Sequence, residues 1–136
     1  MSNIEQTLSI IKPDAVERNL AEKIKEKFLE NKLIIKNQKK IQITREEAAE
    51  FYKVHQTKPF YDRLCNYLSS GPIVVMILSR ENAVLANREL MGATNPEDAK
   101  EGTIRKKYGL SIDKNSVHGS DSEENAKKEI DFFFNN

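Results

Sequence analysis

The sequence predicts an α+β protein. The architecture is a ferredoxin-like βαββαβ antiparallel four-stranded sheet covered by helices, with a helical hairpin inserted after the second strand and a long loop before the last strand. Three observations carry this reading. Short β-branched runs alternate with stretches whose apolar residues recur at helical spacing. The run Pro72–Ser79 is almost continuously apolar, as a central strand covered on both faces should be. Proline and glycine stand where elements should stop. The order is strand, helix, strand, two helices, strand, helix, long loop, strand, helix. With the helical pair read as an insertion, the helices of the remaining βαββαβ core are expected on one face of the sheet.

Each element has a local reason. Thr7–Lys12 is short and β-branched, and Pro13 ends it, so it reads as a strand. Asn19 followed by Glu22 fits a helix start with a capping pair, and Leu20, Ile24 and Phe28 then recur at helical spacing. Leu33–Ile43 reads as a strand with one wet face. Thr44 and Glu47 open another helix by the same capping logic, with Ala48, Phe51, Tyr52 and His55 on one side. Pro59 begins the next helix, whose buried stripe is Leu64, Cys65 and Leu68, and Gly71 stops it. Residues 81–91 form a helix ended by Gly92. The stretch from Gly92 to Asn115 is long and polar, and loops of this length are often functional. A short strand through Val117 and His118 and a last helix burying Ala126, Ile130 and Phe133 complete the chain.

Composition bounds the function. The chain has 136 residues, 38% hydrophobic and 32% charged, a size and balance expected of residues 1–136 as a single domain. A net charge of +1 gives no bulk attraction to nucleic acid or membrane. The single cysteine, Cys65, excludes an intrachain disulfide and suits a reducing compartment. The opening residues show no basic-then-apolar leader and no run could span a bilayer, so a cytoplasmic location is expected.

The stretch NSVHGSD, residues 115–121, is the chemical focus. A neutral imidazole is a nucleophile without a second base. Ser120 and Asp121 stand where the last helix begins, an anion-friendly terminus. Ser120 with Glu123 also fits a capping box. From local spacing alone, a lone histidine near a strand end is more often structural than catalytic. The other histidine, His55, is far away in sequence. No zinc spacing and no phosphate-binding P-loop accompanies His118.

Other motifs shift that balance. NSVHGSD resembles the active-site signature of the nucleoside diphosphate kinases. IKPDAV at 11–16, KPFYDRL at 58–64, SGPIVVMIL at 70–78, LMGATNPEDA at 90–99, EGTIR at 101–105 and the last helix are similar to the same family. The resemblance runs from about Thr7 to Phe133. It implies an enzyme that passes the γ-phosphoryl group of a nucleoside triphosphate, typically ATP, to a nucleoside diphosphate by a ping-pong mechanism, maintaining triphosphate pools. His118 would be the phosphohistidine carrier, attacking through Nδ1. Lys12, Arg88 and Arg105 would hold the phosphates and Thr94 would add a hydroxyl. Asn115 would bind the sugar 3′-hydroxyl. Phe60 would lie against the base with Leu64 and Ile112 around it. Tyr52 and Glu129 would stand near the histidine, Glu129 orienting the ring. The resemblance further implies Mg²⁺ bridging the nucleotide phosphates without a direct protein ligand, with Asp121 in reach through water. A homo-oligomer, tetramer or hexamer, is implied too, the short end after Phe134 being similar to bacterial forms, and no nucleic acid is required.

The chain departs from the family pattern at Val54, where an acidic residue is frequent, at Lys58, which replaces a frequent arginine, and at Arg105–Tyr108, where Lys106, Lys107 and Tyr108 follow the arginine. Lowered stability of the long loop is expected from the last. Two other readings fit parts of the sequence: a nucleotide- or nucleic-acid-binding module without chemistry, and a histidine phosphocarrier. The first lacks an aromatic series on the strands. The second leaves Phe60, Thr94 and Asn115 without a role.

Overall fold

The computed structural model describes residues 4–134. Four strands, β1 (Ile4–Ile11), β2 (Ile34–Ile41), β3 (Ile73–Glu81) and β4 (Val117–Gly119), form one sheet in the order β2-β3-β1-β4. Every neighbouring pair is antiparallel. The helices are α1 (Pro13–Glu17), α2 (Ala21–Glu30), α3 (Arg45–Phe51), α4 (Tyr61–Leu68), α5 (Ala83–Met91), α6 (Ile104–Tyr108) and α7 (Glu123–Phe134). Helices α3 and α4 are the inserted hairpin. Short 3₁₀ turns follow α3 at Lys53–His55 and lie in the long loop at Pro96–Asp98.

The helices of the βαββαβ core, α2 and α5, share one face as expected, and a second layer covers the other face. Side chains alternate across a strand, so successive residues of β1 and β3 face opposite layers. Val74, Met76 and Leu78 meet Ile24 and Phe28 of α2, Met91 of α5 and Ile104 of α6. Ile73 and Val75 meet Ala48 of α3, Cys65 and Leu68 of α4 and Phe133 of α7. β3 is apolar from Ile73 to Leu78 and β1 is buried on both sides from Thr7 to Ile11, so both faces require cover. The inserted hairpin and the last helix supply the second layer.

Two of the three capping expectations fail for identifiable reasons. Thr44 and Glu47 form the full reciprocal box, with bonds of 3.0 and 2.9 Å. Asn19 makes no cap. It sits at φ +60°, a left-handed turn between α1 and α2 that asparagine tolerates, and Leu20 takes the cap position. Ser120 does not cap α7, because its hydroxyl is turned toward β1 and α7's Glu129. Ser122 accepts from the Asn125 N–H instead, at 3.1 Å. The helix expected from Pro59 begins at Tyr61.

The long loop is built around Arg105. Thr103 caps α6, accepting from the Lys106 N–H. Tyr108 packs on the core layer under α5, and its carbonyl accepts from Arg18 at 2.6 Å. The segment after Thr103 is a short helix in which Ile104 and Arg105 are buried. Gly92, which ends α5, has φ +86° and ψ −176°, a region open only to glycine. An added Cβ would lie 2.6 Å from Thr103 Oγ1. Gly92→Ala should destabilise the protein by about 2–4 kcal/mol, backbone strain and overpacking together. Thermal melts and urea titration of the two proteins will measure it.

Candidate active site

Strand β4 lies beside β1, with Ile10 opposite His118 and Ile11 opposite Val117. Val117 points into the layer with α5 and α6, so His118 points to the layer with α3 and α7. It opens onto a cleft of about 460 Å³, lined among others by Lys12, Arg88, Thr94, Arg105, Asn115 and Asp121. Gly119 follows because α5 comes close: a Cβ there would lie 2.4 Å from Asn87 Nδ2 and 2.7 Å from Met91 Cε.

The histidine is held from one side. His118 Nε2 is 3.0 Å from Glu129 Oε1, on α7. Ser120 Oγ donates to the same oxygen at 2.8 Å and accepts from the Leu8 N–H at 3.2 Å. A carboxylate oxygen is an acceptor, so Nε2 carries the proton in this pair and the Nδ1 lone pair is left for chemistry. The ring packing against the imidazole is Phe51, edge-on, with centroids 5.3 Å apart. Tyr52, one position on, lines the cleft. Burial, then Cys65 and Glu129, pushes its phenol above the ordinary range, so it stays a hydroxyl.

The cations come from three elements. Lys12 stands between β1 and α1, Arg88 on α5 and Arg105 on α6. Lys12 Nζ donates to Asn115 Oδ1 at 2.9 Å, and Asn115 Nδ2 donates to the Thr94 carbonyl at 2.9 Å. Arg105 is buried. Its Nη1 donates to the Gly92 carbonyl (3.0 Å) and its Nη2 to the Val117 carbonyl (2.9 Å). Its Nε is buried with no partner. A guanidinium has five donors, so three remain for an anion. Arg88 is exposed at the rim.

These charges have been taken out of water, and Lys12 shows the cost. Burial first, then Arg105, lowers its pKa from 10.5 to about 8, against the opposing pull of Asp14 and Asp113. Arg105 falls to about 10 by burial and then Arg88, and remains charged at neutral pH. The sign for Lys12 runs opposite to that of a paired lysine. The folded state binds its proton less tightly than the unfolded state. The burial penalty is complete below about pH 8 and is relieved as pH rises from about 8 to 10.5. A polyphosphate would restore the proton. Binding of a nucleotide at about pH 9, where its terminal phosphate is already ionised, should therefore take up close to one proton. Calorimetric titrations in buffers of different ionisation enthalpy count it.

The opposite wall is apolar. Phe60 is half-buried and lines the cleft with Leu64 and Ile112, and Ile112 is 52% exposed. Phe60 is thus a wall of the cleft and not part of either core. Above it Arg63 of α4 reaches Asp113 of the long loop, an ion pair across the mouth. Asp121 at the rim is held ionised chiefly by a bond from Asn125 Nδ2.

All the residues singled out in the sequence meet at this one place, with Glu129 behind His118. Several neighbours receive no role from the sequence. Phe51, His55, Arg63, Met91 and Asp113 also touch the site. His55, distant from His118 in sequence, has its ring 5.9 Å from that of Phe60. Its helical spacing from Tyr52 is the available clue. Among the described residues no group of three or more histidine, cysteine or acidic side chains could hold a metal ion. No described helix is long and apolar enough to cross a membrane.

Comparison with known proteins agrees with this geometry. The family model described as "Nucleoside diphosphate kinase" matches residues 5–136. A protein of that name from a Nitratiruptor species is 58% identical over 131 residues, 96% of each chain. One from Campylobacter fetus is 57% identical over the same lengths. A crystal form of the Aquifex aeolicus nucleoside diphosphate kinase superposes with a TM-score of 0.94 at 41% identity, covering 97% of this chain and 96% of that one.

Proposed function

The chain belongs to the nucleoside diphosphate kinase family, a transferase family that moves phosphoryl groups between nucleotides, and from that premise we propose that His118 carries the group. The donor triphosphate lies with its base against Phe60, between Leu64 and Ile112, and its phosphates toward Lys12, Arg88, Arg105 and the Thr94 hydroxyl. Asn115 takes the sugar 3′-hydroxyl. The His118 Nδ1 lone pair forms the new N–P bond to the γ-phosphorus. The bond from that phosphorus to the β,γ-bridging oxygen breaks, and the nucleoside diphosphate leaves with the electron pair. Nε2 keeps its proton, shared with Glu129, so no proton must be moved for the step. A second diphosphate then takes the group by the reverse path.

The observation that supports this most directly is the paired occupation of the imidazole. Nε2 is tied to Glu129 while the cleft beside the ring gathers three cationic side chains. Preorganised positive charge is what phosphoryl transfer needs. The donor set also fits Mg²⁺ carried on the nucleotide. The cleft offers cations and the rim carboxylate of Asp121, not a cage, and Mg²⁺ keeps its waters. Asp121 would hold the ion through water, and the ion would supply charge neutralisation for the phosphates. Stacking on one phenyl ring is tolerant of base identity.

Residues 1–136 act as one catalytic unit in this reading. The lone buried Cys65 suits the cytoplasm. A homo-oligomer, tetramer or hexamer, is supported by the edge strand β2 with Ile34 exposed and by exposed Leu29 on α2. The test is transfer itself. The protein is incubated with ATP and Mg²⁺, freed of nucleotide, and given a different diphosphate. An acid-labile, base-stable phosphoenzyme that yields the new triphosphate is the expected result. A protein that binds ATP without acquiring phosphate would overturn the reading in favour of a binding module. A phosphoenzyme that ignores diphosphates would favour a phosphocarrier.

A further inference from the structure

We infer that Asp14 is a positioning residue for the transfer, its buried carboxylate holding Ser116 so that Asn115 and His118 stay in register with Lys12; the inference rests on the nucleotide-binding role just proposed for Asn115. Asp14 is 5% exposed. Its Oδ1 accepts from the Tyr67 hydroxyl and from the Ser116 N–H at 3.3 Å. Its Oδ2 accepts from Ser116 Oγ at 3.0 Å and from Arg18 Nη2 at 3.0 Å. The Asp14 N–H donates to the Tyr67 hydroxyl oxygen at 2.7 Å. Both carboxylate oxygens therefore converge on one residue of the active-site stretch.

What they hold is an unusual backbone. Ser116 has φ +73°, a left-handed conformation that non-glycine residues avoid. That turn sends the Asn115 side chain to Lys12 and Thr94 while Val117 enters β4. The Lys12 N–H closes the same corner, donating to the Ser116 carbonyl at 2.8 Å. Lys12 and Asp14 share one turn of chain. The cation and the clamp thus move as a unit, and the clamp fixes the amide that meets the sugar and the strand that bears the nucleophile. Arg18 completes it by donating also to the Tyr108 carbonyl at 2.6 Å, tying in the end of α6.

The test compares acceptors with and without a 3′-hydroxyl. The parent enzyme is assayed first with a ribonucleoside diphosphate and its 3′-deoxy analogue; failure to transfer at all would overturn the proposed function itself and this inference with it. In Asp14→Asn, misplacement of Asn115 should lower kcat/KM for the ribonucleotide by about tenfold or more, and for the 3′-deoxy analogue much less, since sub-ångström positioning is worth factors of this size. The discrimination ratio should fall toward one. Tyr67→Phe, which keeps the Asp14–Arg18 pair, should move the ratio the same way by a smaller factor, and serves if Asp14→Asn does not fold. Adding Ser116→Gly to either variant should recover part of the ratio, because glycine adopts φ +73° freely. A lowered melting temperature with equal loss on both acceptors would show a purely structural role and overturn the inference. So would parent-like discrimination in the folded Asp14→Asn or Tyr67→Phe protein.

Discussion

His118→Asn will bind nucleotide and form no phosphoenzyme. Asparagine fills most of the imidazole's space and leaves the cations and Phe60 untouched, so affinity for a diphosphate should change by less than about threefold, well under 1 kcal/mol. Its amide nitrogen has no usable lone pair, so it cannot take the place of the imidazole nitrogen. Removing the nucleophile of a covalent mechanism costs on the order of 10⁴-fold or more in kcat. Radiolabel retained from γ-labelled ATP after acid-free gel filtration reads the intermediate directly, and fluorescence or calorimetric titration reads the affinity. Turnover at the parent rate would remove His118 from the role assigned to it.

Arg105→Ala is expected to have the second largest effect, and on two properties at once. Two of the five guanidinium donors secure the carbonyls of Gly92 and Val117, and the others make no bond within the chain and serve the phosphates in the reading proposed above. Loss of a buried phosphate clamp should lower kcat/KM by about 10²–10³-fold. The two carbonyls left behind lie in poorly hydrated surroundings, and an unpaired buried acceptor costs about 1–3 kcal/mol. Stability should therefore fall measurably in urea titration as well. Arg105→Lys separates the two effects. Its point charge restores some phosphate attraction and cannot span both carbonyls, so activity should recover further than stability. A variant with full stability and lost activity would mean that the carbonyl bonds contribute little.

Elements are legible in the sequence where their determinants are local. Thr44 and Glu47 lie three residues apart on one turn, and their box forms as expected. Asn19 with Glu22 and Ser120 with Glu123 have the same spacing and do not, because chain reversal claims the asparagine and Glu129 claims the serine. Helices α1 and α6 have five residues each, too few for an apolar period to show. The second helical layer is implied by the unbroken apolar run of β3, and is masked when the inserted hairpin is given no face. At the site, motif resemblance locates the charged and nucleophilic groups that the family pattern names. It gives no access to the meeting of Asp14, Tyr67 and Ser116, which depends on three distant segments folding together. Nor does it reveal the Arg63–Asp113 pair, which needs α4 and the long loop to face each other. Lys107, one of the departures from the family pattern, lies over the Tyr108 ring, its ammonium 5.5 Å from the ring centroid and within cation–π reach.

The position of β4 in the sheet has a consequence for biosynthesis. The strand that bears His118 zips onto the first strand of the chain, and the Leu8 and Ser120 groups that bond there are 112 residues apart. Closing so long a loop is slow compared with forming α2 or the α3–α4 hairpin. On the ribosome, a nascent chain emerges N-terminus first. It can pair β1 with β3 while β4 is still in the exit tunnel. The site is then completed last, when β4 and α7 with Glu129 dock together.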